Sequence, residues 1–283
     1  MQSRLTSFMG KKIWLALAVL VIVSVGVLML LQPASNAVAN SFWDVSVSSN
    51  TQDIDHSDWQ KLLNRYLVSD HVSGVNRFDY QIVKNTDKKL LDNYLNVLQQ
   101  LDPRIYNRNS QQAYWINLYN ALTVRVILDN YPIDSITGIS DDFVSFGPWD
   151  DHAATIQGQE LSLNAIEHGI LRPLWNDNRI HYAVNCASIG CPNLSAQAFT
   201  AANREELLEQ AARAYINHER GVRFENDELI VSSIYHWYRV DFGDTDASLL
   251  RHLKKYAEAP LLQQLENFQG DIDHDYDWNL NDL

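Results

Sequence analysis

The chain is sparing with cysteine, proline and glycine, with 2, 7 and 11 in 283 residues. Both cysteines, Cys186 and Cys191, lie in one short stretch, so any disulfide or thiol chemistry is confined to that place. No Pro- or Gly-rich linker and no internal repeat interrupts the sequence, which favours one domain. Basic residues are the other scarcity. There are 22 Lys and Arg against 35 Asp and Glu, a net charge of −13, and no Lys or Arg falls between Lys12 and Lys61. A surface of that sign repels nucleic acid and anionic headgroups, so neither is expected as a partner.

What is abundant near the start is hydrocarbon. Ile13 to Leu31 is a run of nineteen uncharged residues preceded by Arg4, Lys11 and Lys12. Its length suits a spanning helix of about twenty residues better than a signal core of about seven to fifteen. Ala37-Val38-Ala39 nevertheless offers a small-x-small cleavage pattern. Residues 1–39 therefore read as a signal peptide or a membrane anchor. Either way the flanking positive charges stay in the cytoplasm and the remainder is exported. The expected location is the periplasmic side of the bacterial inner membrane on a single-pass anchor, or, after cleavage, the periplasm or beyond. Without residues 1–39, 19 Lys and Arg face 35 Asp and Glu, a net charge of −16. Membrane contact is expected only through the N-terminal segment.

Residues 40–57 are polar after Trp43 and read as a spacer, leaving 58–283 as one globular domain. Apolar residues at helical spacing, Trp59 to Leu67 and Leu90 to Leu98, predict two amphipathic helices. The segment from Ser110, with Ser110 as its cap and Pro132 as its stop, is apolar on almost every side and predicts a buried helix. Asn117 and Asn120 share one of its faces, where a buried amide must find partners. "ATIQGQELS" reads as a hairpin. Ser162 caps a further interior helix that Pro173 should end near Leu171. There Glu167 and His168 diverge, while His168 and Arg172 stand one turn apart.

Alternation in "RIHYAVNC" predicts a strand that turns His181 away from Cys186. A long helix is expected after Pro192, then a strand pair turning at Asn226-Asp227, a helix starting at Ser232 or Ser233, and one more through "SLLRHLKKYA". In "GDIDHDYDWNLND" the acids alternate with Ile272, His274, Tyr276 and Trp278. That is the pattern of a half-buried strand with an acidic face, and it lacks the glycine and closing glutamate of a calcium loop. Together these elements give an α+β fold, one mixed domain with several helices around a small sheet.

Five blocks in this order, "YWINLYNALT", "LSLNAIEHGILRP", "RIHYAVNCASIGCPNL", "SSIYHWYRVDF" and "YDWNLN", resemble the bacterial family known as domain of unknown function 547, over about residues 111–281. The resemblance implies a single mixed α/β domain, often exported, and no established reaction. Its recurrent polar positions fall on Asn117, Asn120, Glu167, His168, Arg172, His181, Cys186, Ser188, Cys191 and Pro192. His236 sits where the block does not require histidine, which argues against a triad of Cys186, His236 and Asp241.

Three fates are open to the cysteines. Export favours a Cys186–Cys191 disulfide. Alternatively Cys186 is a nucleophile with His168 as base, Glu167 or Asn117 behind it, and an oxyanion held by the N–H groups of the small-residue loop. A metal held by Cys186, Cys191, His168 and His181 is the third, disfavoured because four residues separate the cysteines. Asn120, Arg172, His181 and Ser188 would then bind substrate, Arg172 through its planar fork. The leading expectation is a thiol-dependent hydrolase or acyltransferase acting on a peptide or amide of the cell envelope, without metal or cofactor. The other is a non-catalytic binding or scaffold module closed by the disulfide.

Overall fold

The computed structural model describes residues 40–139 and 147–283. The expected signal or anchor segment lies outside the described residues, and no helix among them is long and apolar enough to cross a membrane.

In chain order, α1 (Ser57–Tyr66) leads through β1 (Leu67–Val68) and β2 (Arg77–Phe78) to α2 (Tyr80–Thr86) and α3 (Lys88–Gln100). The long α4 (Arg108–Asn130) follows, then the hairpin β3 (Ala154–Ile156) and β4 (Gln159–Leu161). Next come α5 (Leu163–Ile166), a π turn (Glu167–Leu171) and α6 (Arg172–Trp175), in one continuous helical run. A 3-10 turn (Asn178–Tyr182) precedes α7 (Arg204–Ile216), β5 (Val222–Glu225) and β6 (Glu228–Ser232). The chain closes with α8 (Ser233–Trp237), a 3-10 turn (Arg239–Phe242), α9 (Asp246–Tyr256), α10 (Leu261–Asn267) and β7 (Ile272–Asp275). Helices around small sheets make this the α+β architecture expected.

Two apolar cores organise it. In the larger, α4 is the centre, buried at every position from Ser110 to Val124, as a helix apolar on all sides must be. Its cap is Asn107, whose Oδ1 accepts from the N–H groups of Asn109 and Ser110 at 3.0 Å, rather than Ser110 itself. α1 buries Trp59, Leu62 and Leu63 on it, and α3 buries Leu91, Tyr94, Leu95 and Leu98. Residues 40–57, read from sequence as a spacer, are instead anchored to this core through Trp43 and Ile54. Trp43 is 1% exposed, its ring 5.0 Å from that of Trp115. Two apolar anchors, Trp43 and Ile54, suffice to hold a stretch that is polar elsewhere.

The smaller core lies between the three-stranded sheet and α7, α9 and α10. β5 and β6 are antiparallel, turning through Asn226 and Asp227 at φ of 50° and 70°. β7 lies parallel to β6 with Asp273 and Asp275 outward, the half-buried strand the alternation predicts. The β3–β4 hairpin turns through Gln157 and Gly158, again at positive φ. Beyond β7 the tail laces the two cores. Asn281 N–H donates to Ala187 O, Phe78 N–H donates to Asn281 O, and the Tyr80 hydroxyl donates to Asn281 Oδ1 at 2.8 Å.

Three expectations fail for local reasons. "RIHYAVNC" is not a strand. Asp177 caps a 3-10 turn by accepting from Arg179 N–H at 2.9 Å, and Ile180, His181 and Tyr182 are all buried, so no alternation exists to separate His181 from Cys186. The helix after Pro192 begins only at Arg204. Asn203 accepts from Thr200 N–H and donates to Ala198 O, local bonds that compete with helix. Pro173 does not end its helix, because the π turn before it lets the proline occupy the first turn of α6, where its missing N–H costs nothing.

Candidate functional site

Asn117 and Asn120 leave the face of α4 to grip two stretches of irregular chain. Asn117 Nδ2 donates to Phe199 O at 2.7 Å while its Oδ1 accepts from Phe199 N–H at 2.9 Å. Asn120 Nδ2 donates to Ala183 O at 2.9 Å and its Oδ1 accepts from Asn185 N–H at 2.8 Å. Each amide mimics a strand partner, using both its donor and its acceptor on backbone that has no sheet to join. Neither points at Cys186 or His168.

The loop held by Asn120 carries the cysteines. Cys186 and Cys191 form a disulfide with Cα atoms 6.2 Å apart. Ala187 takes φ of 61°, and Asn185 ties the loop, accepting from Ala187 N–H and donating to Pro192 O at 2.7 Å. Ile189 and Gly190 donate to Asn279 O and Asp277 O, and Cys191 donates to Ser188 O. The N–H of Cys186 faces the Cys191 sulfur at 2.8 Å. From 185 to 191, then, every backbone N–H except that of Ser188 already has a partner inside the protein. The other polar neighbours of Cys186 Sγ are hydroxyls, Ser188 Oγ at 3.2 Å and Tyr276 Oη at 3.1 Å. No imidazole is among them.

The charged residues gather elsewhere, around the π turn. Arg172 N–H donates to Glu167 O, the five-residue step that defines that turn. In a regular α-helix residues five apart diverge, whereas the wider π turn brings Glu167 and Arg172 toward one side with His168. His181 arrives from the 3-10 turn. Its Nδ1 lies 3.5 Å from Glu167 Oε1 and its Nε2 lies 2.7 Å from Asp241 Oδ2. The same Asp241 oxygen accepts from Arg172 Nε at 2.6 Å. Tyr238 covers the group, its ring stacked 4.3 Å from His181 and 5.0 Å from the Arg172 guanidinium.

Two carboxylates, Glu167 and Asp241, thus meet Arg172 and the imidazole of His181. Burial pushes the Glu167 carboxyl up, but His168, His181 and Arg172 outweigh it and bring it down to about 2. Burial likewise opposes charge on Asp241, and its bonds to His181 and Arg172 hold it below the usual carboxylate range. Burial alone would lower His181, yet its bonds to Asp241 and Glu167 leave it above the ordinary imidazole value. His168 goes the other way, lowered chiefly by burial with the Arg172 charge adding to it. Arg172 Nη1 lies 3.2 Å from His168 Nδ1. Arginine has only donors, so Nδ1 must accept and the proton of a neutral His168 sits on Nε2. The imidazole expected as a base presents a donor. Its side chain is 30% exposed, and Arg172 Nη2 behind it is buried without a partner.

The sequence-predicted residues therefore separate into two groups. Glu167, His168, Arg172 and His181 meet one another, while Cys186 and Ser188 meet Tyr276 and Cys191 is bonded to Cys186. Asp241 pairs with His181 and Arg172, and His236 stacks on His274 with ring centres 4.1 Å apart. Asp241 and Tyr238 are the residues that sequence reasoning missed as members of the charged group. Their signal is the acid in the block "YRVDF", which falls with the Cys186, His236, Asp241 triad because the family's block does not require a histidine at 236. Among the described residues no three His, Cys, Asp or Glu side chains are arranged to hold a metal ion.

No curated protein and no solved structure matches the chain. The blocks "SSIYHWYRVDF" and "YDWNLN" lie beyond the segment that a family model does match. That segment, residues 103–216, holds the buried helix, the π turn and the cysteine loop, and through it the chain is similar to the family described as protein of unknown function, DUF547.

Proposed function

We propose that this chain is an exported, non-catalytic binding module whose cysteine loop is closed by the Cys186–Cys191 disulfide. The observation that carries this reading is the accounting of backbone donors in that loop. A thiol hydrolase stabilises its developing oxyanion with preorganised donors, commonly backbone N–H groups beside the nucleophile. Here those of residues 185, 187, 189, 190 and 191 are spent on protein acceptors. The thiol needed for attack is bonded, and His168 offers a proton where a base is required. The same groups are well suited to rigidity, since each bond fixes the loop against α4 or the C-terminal tail. Export itself rests on the charged and apolar leader, which places the module on the periplasmic side of the inner membrane, anchored or released.

Alkylation of the full chain in denaturant, followed by intact mass, tests the reading. No label is expected without reductant and two labels with it. Two free thiols in protein recovered from the envelope, together with labelling of Cys186 by an electrophilic amide that is lost in His168→Ala, would restore the hydrolase. A C-terminal alkaline phosphatase fusion should be active, and an inactive fusion of normal abundance would contradict export.

A further inference from the structure

A cleft of about 710 Å³ opens on the outer side of the cysteine loop, bordered by Ile189 and Gly190 and by Tyr276 and Trp278 of the tail. That volume is within the range of roughly 300–1,000 Å³ occupied by small-molecule sites. Four basic side chains line it, and two of them are spent. Arg223 places Nε 2.6 Å from Glu225 Oε1, with Nη1 and Nη2 at 3.0 and 2.6 Å from the Asp275 carboxylate. His218 has Nε2 2.7 Å from Ser73 O, and its Nδ1 accepts from Arg220 N–H at 3.2 Å, so both ring nitrogens are engaged.

Arg77 and Arg220 are different. Among the described residues neither has a carboxylate partner. Arg220 has one side-chain hydrogen bond, from Nη2 to Asn193 Oδ1 at 2.8 Å, and its guanidinium lies 5.5 Å from the Tyr215 ring centre. Its Nε and Nη1, and Nε of Arg77, are buried without any partner. Burial, with the nearby charge of Arg77 adding to it, lowers the Arg220 pKa from its ordinary value. Guanidinium stays charged in proteins, so this is cation held without a counter-charge. The remaining acids of the cleft do not answer it. Glu219 is exposed, and Asp277 accepts from Asn279 through both N–H and Nδ2, at 2.9 and 2.7 Å. In a chain with so large an acidic excess, two unanswered arginines on one cleft are a placed feature.

We propose that this cleft binds a small ligand through an oxyanion group, a carboxylate or a phosphate, taken by Arg77 and Arg220 with the Ser135 and Thr137 hydroxyls at the cleft wall. The proposal deepens the binding-module reading and rests on it. A guanidinium forms strong charge-assisted N–H bonds to carboxylate or phosphate oxygens, and Nε and Nη1 of Arg220 with Nε of Arg77 are three such donors without a protein partner. The aromatic rings of Tyr276 and Trp278 give the body of the ligand an apolar surface. The net charge of the exported part excludes a polyanion and favours a ligand with one or two charges.

The test is thermal melting and calorimetric titration of the full chain in detergent, with succinate and with inorganic phosphate as separate probes and chloride at equal ionic strength as control. Saturable stabilisation by one of them is expected, and which one names the oxyanion. Arg220→Gln and Arg77→Gln should each weaken it at least tenfold, while Arg223→Gln changes it less than twofold. If Arg220→Gln fails to fold, Arg77→Gln decides. No effect of either probe beyond chloride, or undiminished binding in the Arg77 and Arg220 variants, or equal losses in all three, would overturn the site. Free thiols in the alkylation experiment with anion binding intact would sink the disulfide reading alone. A bonded pair with no anion binding would sink this site alone.

Discussion

Nε2 of His181 lies 2.7 Å from Oδ2 of Asp241, and this contact joins two 3-10 turns sixty residues apart in the chain. The same oxygen holds Arg172 at 2.6 Å, so Asp241 fastens the π turn as well. Asp241→Asn would keep the shape and leave Arg172 and His181 with one carboxylate, Glu167. Breaking a fully buried pair costs about 3–5 kcal/mol, and the partial exposure of Asp241 reduces that to about 2 kcal/mol. Urea denaturation at neutral pH measures it, and a loss below 0.5 kcal/mol, on the scale of an exposed pair at roughly 0–1 kcal/mol, would mean the contact is ornamental.

The disulfide closes a loop of about six residues, which in the chain-entropy model contributes about 2 kcal/mol. For a chain of this size that corresponds to roughly 5 °C in melting temperature. The double variant Cys186→Ser, Cys191→Ser should melt lower by this amount, and wild-type protein should lose as much on reduction. Calorimetry with and without reductant checks it; identical traces would count against a bonded pair.

Two glycines near the site should respond oppositely to alanine. At Gly190 a Cβ would stand 2.9 Å from the backbone N and O of Asp277, so the tail must move and the Gly190 N–H bond to Asp277 O must loosen. At Gly169, inside the π turn, a Cβ meets nothing within 4 Å. Gly190→Ala should lower the melting temperature and speed hydrogen exchange of the residue-190 amide. Gly169→Ala should be neutral or stabilise by up to about 1 kcal/mol through reduced backbone entropy of the unfolded chain. Equal effects of the two would contradict the tail docking described.

His56 gives the fold an acid limit. It is buried against Tyr94, Nδ1 to Oη 2.7 Å, and burial lowers its pKa from 6.5 to about 4. The unfolded chain takes up the proton first. Stability from this group is therefore constant above about pH 6.5, falls as pH drops toward 4, and is level again below. The full excursion is on the order of 3 kcal/mol, from 1.36 kcal/mol per pKa unit. Denaturant melts of wild type and His56→Gln at pH 7 and 4.5 should show a smaller acid loss in the variant. Parallel losses would place the acid sensitivity elsewhere.

Much of the frame was legible in the residues themselves. An all-apolar stretch has to be an interior helix, and α4 is one. Asn226-Asp227 and Gln157-Gly158 accept positive φ, and each makes the hairpin its flanking residues ask for. Ser162 and Ser232 cap where their hydroxyls reach the N–H of Ala165 and Ile234. The failures share a cause. The period-two pattern around His181 is a weak local signal, and burial on all sides overrode it. The π turn has no composition of its own, and it alone brings Glu167 and Arg172 toward one side.

What the sequence by itself determined is therefore local: helix periods, caps, turns, two cysteines close enough to bond, and a negative surface. These follow from steric and hydrogen-bond preferences that act within a few residues. The tertiary structure decided which side chains meet. Asp241 reaches His181 and Arg172 across long chain separations, Asn120 spends its amide on Ala183 and Asn185, and Arg77 and Arg220 come together at one cleft with no carboxylate partner among the described residues. Such pairings depend on how the two cores close on each other, and no spacing along the chain encodes them.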